Sequence, residues 1–117
     1  MACTIDGTTI HLTRGDSSFL HIILTNKGKT FTPAAGDTIS FAVKRDIINP
    51  QTKEYLDKEP LIYREIPNDT MILELRPSDT KPLSFKENYV YDIQIEFENG
   101  NAFTFMSGKF DLLREVH

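Results

Sequence analysis

Histidines stand at positions 11, 21 and 117, and His11 and His21 occupy strand-like segments from which both could reach a metal across a hairpin. Zinc needs at least three protein ligands as a rule, and no Cys or Glu at a recognisable spacing completes this pair. The same imidazoles could act as a base for Ser17 or Ser18, but neither a nucleophile elbow nor an orienting Asp accompanies them. Asp92, Glu96 and Glu98 offer oxygen ligands for a hard cation without the loop spacing of a calcium motif. Gly28, Gly36 and Gly100 are isolated, so no glycine-rich run cradles a phosphate. Cys3 is the single cysteine and has no His or Lys neighbour to lower its pKa. These residues assign no catalytic, cofactor-binding or metal-ligating set, and the expectation is a protein that is not an enzyme.

Two further features carry recognition chemistry. Arg14-Gly15-Asp16 spells the tripeptide that integrins read, but Gly between two strands serves as a turn and Asp16 can close an Asx turn. The turn reading is preferred. Eight Phe, four Tyr and no Trp make up the aromatic residues. Most fall on core-directed positions, whereas Tyr55 and Tyr63 fall where exposure is expected. Exposed aromatic faces suit a sugar ring, so a carbohydrate-binding module attaching to a host-cell glycan is the competing functional class.

The elements that would position these groups read as short strands broken by Gly, Pro, Asn and Asp. Thr8 to Thr13 alternates, with Ile10 and Leu12 on one face, and Arg14 to Ser17 turns. Ser18 to Thr25 reads as one strand with apolar residues on both faces, hence central or covered on both sides. Asn26 to Lys29 is a hairpin turn, and Thr38 to Arg45 alternates cleanly around Ile39, Phe41 and Val43. Asp46 to Pro60 is charged and broken by Asn49-Pro50 and Glu59-Pro60, and a loop is preferred there over a short helical turn through Thr52 to Leu56. Its acidic and basic residues are mixed, as on a solvated face. Leu61 to Ile66 and Thr70 to Arg76 are expected to pair as a hairpin around Pro67-Asn68-Asp69.

Pro77 to Leu83 should form one helical or 3₁₀ turn, with Ser78 as N-cap. Asn88 to Phe97 is the strongest strand, with Tyr89, Tyr91, Ile93, Ile95 and Phe97 alternating against Val90, Asp92, Gln94 and Glu96. A hairpin around Asn99-Gly100 returns through Phe103 and Phe105, and Gly108 is expected to allow a bulge or bend. Leu83 lies six residues before Tyr89, the spacing of a tyrosine corner, in which the phenol bonds backbone a few residues upstream. An ordinary strand-face tyrosine with a solvated hydroxyl is the alternative.

These elements predict one all-β domain over 1–117: an immunoglobulin-like antiparallel β-sandwich of seven to eight strands with one short helical turn. A chain of 117 residues buries about two-thirds of its unfolded surface, enough for a core without disulfides. With 39% hydrophobic and 26% charged residues, disorder is not expected. A net charge of −4 offers no electrostatic pull towards nucleic acid or an anionic membrane surface. The longest apolar stretch, Ile22-Ile23-Leu24, is far below a membrane span, and the N-terminus lacks the basic and apolar regions of a secretory signal. A lone cysteine fits synthesis in a reducing cytoplasm.

The segments IHLTRGDSSFLHIIL, GDTISFAVKRD, LELRPSDTKPL and YVYDIQIEFENGNAFTFMSGKFDL resemble small structural proteins of phages and prophages of Gram-positive bacteria. The nearest group is the N-terminal sandwich domain of siphophage baseplate upper proteins, with related tail and neck-associated domains. The resemblance rests on Thr13 to Asp16, Gly36 to Val43, Pro77 to Thr80, Tyr89 to Gln94 and Gly108 to Phe110, and leaves Asp46 to Pro60 unmatched. It implies a non-enzymatic tail- or baseplate-type assembly protein without cofactor. Its implied partners are other phage structural proteins and further copies of itself. It would reside in the virion, or in the bacterial cytoplasm before assembly. No partner-binding residue is implied; the charged loop Asp46 to Pro60 and the tip Asn99-Gly100 are the surfaces to test first.

Overall fold

The computed structural model describes residues 3–6, 8–26 and 28–115, so His117 lies outside the described residues. Half of these residues are in strands, and a single helical turn accompanies them. The molecule is all-β. Among the described residues ten strands form: β1 (Cys3–Asp6), β2 (Thr9–Thr13), β3 (Ser18–His21), β4 (Leu24–Asn26), β5 (Lys29–Phe31), β6 (Thr38–Arg45), β7 (Ile62–Ile66), β8 (Ile72–Leu75), β9 (Tyr89–Glu96) and β10 (Ala102–Leu113), with helix α1 (Pro77–Thr80) between β8 and β9. Six strands make a curled mixed sheet in the order β1-β2-β10-β9-β6-β7, and β3-β8 and β4-β5 are two-stranded sheets.

Period-two alternation explains the large sheet. In β9, Tyr89, Tyr91, Ile93 and Ile95 are buried, while Val90, Asp92, Gln94 and Glu96 face the other way. Beside it, β6 buries Ile39, Phe41 and Val43, and β10 adds Phe110 and Leu112. Leu73 and Leu75 of β8 join the same core cluster. The apolar face of the sheet is thus covered by a separate pair of strands rather than left in water.

Several expectations change. The sheet is not wholly antiparallel, because β2 runs parallel to β10, with Ile10 opposite Phe110 and Leu12 opposite Leu112. The expected hairpin of Leu61–Ile66 with Thr70–Arg76 does not form. Instead β7 pairs with β6 and β8 pairs with β3. Leaving the sheet lets β8 place Leu73 and Leu75 over the core. The single strand expected over Ser18–Thr25 breaks at Ile22-Ile23 into β3 and β4. It is covered on one face only, leaving Phe19 68% and Ile23 64% exposed. This break, together with β1 and the short β5, raises the strand number above seven or eight.

At α1 the N-cap is Arg76, not Ser78, because Pro77 supplies the first helical residue and Asp79 accepts a hydrogen bond from the Arg76 N–H at 2.7 Å. The bulge in β10 lies between Thr104 and Met106 rather than at Gly108. Gly108 has another reason to lack a side chain. A Cβ there would collide with the Thr8 carbonyl oxygen.

Candidate functional site

The corner at the start of β9 forms as the spacing predicts. The Tyr89 hydroxyl donates to the Ser84 carbonyl at 2.8 Å and accepts from the Ser84 N–H at 3.0 Å, with Leu83 buried beside it. Burial pushes the Tyr89 phenol above its ordinary pKa, and nearby Glu87 adds to the shift, so the donor proton stays in place. Two residues on, the Tyr91 hydroxyl donates to the Thr8 carbonyl at 2.6 Å. These tyrosines are structural.

Arg14-Gly15-Asp16 also has internal work. The Arg14 guanidinium donates to the Leu83 carbonyl at 2.7 Å and to the Lys81 carbonyl, and it pairs with Glu115. The Gly15 N–H donates to Thr80 Oγ1 at 2.8 Å, and the Asp16 N–H closes the turn on the Thr13 carbonyl at 3.1 Å. Gly15 has φ +87°, a conformation natural to glycine. The turn therefore latches the β2–β3 connection onto the end of α1, where a cation suits the free carbonyls. The turn is legible in the sequence and the latch is not, because Leu83 lies 69 residues from Arg14.

The candidate metal and nucleophile groups do not converge. His11 Nδ1 pairs with Asp111 at 2.8 Å on β10, whereas His21 lies opposite Ile72 in the β3–β8 sheet, so the two imidazoles do not share a hairpin. Ser18 is buried opposite Leu75, and Ser17 is exposed. Asp92 and Glu96 point outward four residues apart on β9, and the Glu98 carboxylate lies against Gly36. Among the described residues, no three His, Cys, Asp or Glu side chains gather to hold a metal.

Asp46–Pro60 is a loop, with one isolated bridge between Ile48 and Tyr55 and no helical turn. Asp57 anchors it. Its carboxylate accepts from the Arg45 backbone N–H at 2.9 Å and from the Arg45 guanidinium at 2.7 Å. These hydrogen bonds hold the Asp57 carboxyl below the usual carboxylate range. Fixed in this way, the loop brings Tyr55 to the outer face of the six-stranded sheet.

That outer face holds a groove of about 500 Å³ whose lining includes Ala42, Lys44, Tyr55, Asp92, Ser107 and Lys109. Strand register builds it. Across one row, Tyr63, Ala42, Asp92 and Ser107 lie side by side on β7, β6, β9 and β10. In the next row, Lys44 and Lys109 flank Val90. Directly opposed residues are about 5 Å apart, so Asp92 sits between two small side chains with an ammonium on either diagonal. Burial pushes the Asp92 carboxyl above its ordinary pKa, partly offset by Lys44.

Two apolar surfaces stand apart from the groove. Phe19, Ile23 and Ile72 are exposed around the small β3–β8 sheet. At the hairpin end of β9 and β10, Phe31, Phe97, Phe103 and Phe105 form a chain of ring contacts with centroids 5.0–6.4 Å apart. Comparison with family models, with curated proteins and with solved structures finds no match for this chain.

Proposed function

We propose that this chain is a non-enzymatic assembly domain of a phage or prophage particle, of tail or baseplate type, with an immunoglobulin-like sandwich as its architecture. Its partners are other structural proteins of the particle and further copies of itself. Its place is the virion, or the bacterial cytoplasm before assembly. Support comes from the sequence resemblance and from one observation above all: the exposed apolar surface of the β3–β8 sheet. Phe19, Ile23 and Ile72 stand together there on a sheet of only two strands, whose outer edges carry no further strand among the described residues. Apolar groups gathered around open strand edges favour burial against another chain. In a symmetric particle each weak contact is repeated, and effective concentration multiplies it.

Size-exclusion chromatography with light scattering, combined with binding to purified products of neighbouring genes, tests the proposal. Self-association or partner capture is expected, and the pair Phe19→Ser and Ile72→Thr should weaken it while leaving the unfolding midpoint nearly unchanged. A strict monomer at high concentration that captures none of those products would remove the assembly reading.

A further inference from the structure

Beyond assembly, we propose that the outer face of the six-stranded sheet binds a saccharide in the groove lined by Tyr55, Ala42 and Ser107, with Tyr63 beside its rim next to Ala42 and with Asp92, Lys44 and Lys109 as its polar contacts. The floor is level because Ala42 and Ser107 flank Asp92 in register, leaving room for a ring to approach the carboxylate. Tyr63 is opposite Ala42 on β7 and 56% exposed, and Tyr55 is 41% exposed on the anchored loop. Each offers an aromatic face to the C–H side of a pyranose. Vicinal hydroxyls are donors, and a carboxylate with free lone pairs is their natural acceptor; ammonium groups serve the sugar oxygens.

Among the described residues no hydrogen bond or ion pair engages the side chains of Asp92, Lys44, Lys109, Tyr55 or Tyr63. The second face of an antiparallel sheet is ordinarily filled with solvated polar side chains. Here that face, besides its polar side chains, carries the exposed Tyr63, has Tyr55 laid beside it by the loop, and holds one carboxylate partly out of water beside two small residues. One carboxylate against two ammonium groups leaves a modest positive balance, suited to neutral or weakly anionic sugars rather than to cations.

An array of hexose and N-acetylhexosamine oligosaccharides, followed by amide chemical-shift titration with the best of them at millimolar concentration, tests the inference. Expected are shifts centred on Ala42, Asp92 and Ser107. Binding should fall about tenfold or more in Asp92→Asn and in Tyr63→Ala, both at exposed or half-exposed positions. Filling the floor with Ser107→Trp should abolish it, and Phe19→Ser should leave it intact, which separates this site from the assembly surface. The inference falls if no saccharide binds, or if binding survives both Asp92→Asn and Tyr63→Ala. It also falls if only sulfated or phosphorylated ligands bind and the loss follows Lys44→Gln and Lys109→Gln alone, the outcome of a plain anion site.

Discussion

Removing one oxygen at Tyr89 leaves the ring packed and takes away the partner of both Ser84 backbone groups. Tyr89→Phe is therefore expected to lower stability by about 1 kcal/mol, read by equilibrium denaturation; a neutral result would mean that the corner bonds are replaced by water. Gly108→Ala should cost about 1–3 kcal/mol, because the new Cβ meets the Thr8 carbonyl and β2 must shift. A variant as stable as the parent would show that β2 yields freely there. Asp92 has the opposite sign. Its folded carboxyl is raised by burial, so the stability it contributes is complete below the ordinary carboxylate pKa and lost as pH rises through the folded value. At neutral pH the charge is a cost, and Asp92→Asn should raise the denaturation midpoint even as it removes the proposed saccharide acceptor. A lowered midpoint would assign Asp92 a structural role instead.

At the scale of elements, the loop between β6 and β7 depends on one carboxylate. Asp57 is depressed in the fold, so its stabilisation is complete above the ordinary value of about 3.9 and disappears as pH falls through the lower folded value. Asp57→Asn should reproduce that acid loosening at neutral pH. Amide exchange should then speed up at Asn49, Lys53 and Leu56, whose N–H groups bond within the loop, while β9 stays protected. Unchanged protection at these three amides would show that the Arg45–Asp57 pair does not anchor the loop.

The strands themselves were largely legible. β6 and β9 follow from strict alternation, and the Asn99-Gly100 hairpin follows from its turn residues, with Gly100 at φ +92°. The helix cap was misread because Ser78 is a good cap by type, whereas Pro77 decides where the helix begins. The break in Ser18–Thr25 was hidden for a different reason. Apolar residues on both faces usually mean a strand covered on both sides, and here Phe19 and Ile23, two of the five, are left exposed.

For the whole molecule, one core cluster joins β8 to the inner face of the large sheet, and the apolar groups left outside concentrate around β3–β8. Association through that surface should have an apolar signature: little weakening as salt is raised, and strengthening by sulfate, measured by light scattering. Steep weakening by moderate salt would instead point to the charged loop 46–60 as the docking surface.

Local side-chain order determined which residues face inward, because alternation and turn chemistry act over a few neighbouring positions. Only the tertiary structure decided which strand lies beside which: β7 next to β6, β8 across the core with β3, and β2 parallel to β10. The same pairing decided that Tyr63, Ala42, Asp92 and Ser107 share a row, because it sets β6 beside β9 and so joins two consecutive strand pairs from different parts of the chain. Backbone hydrogen bonds are nearly indifferent to side-chain identity, so strand partners are selected by how completely the shared apolar faces can be buried.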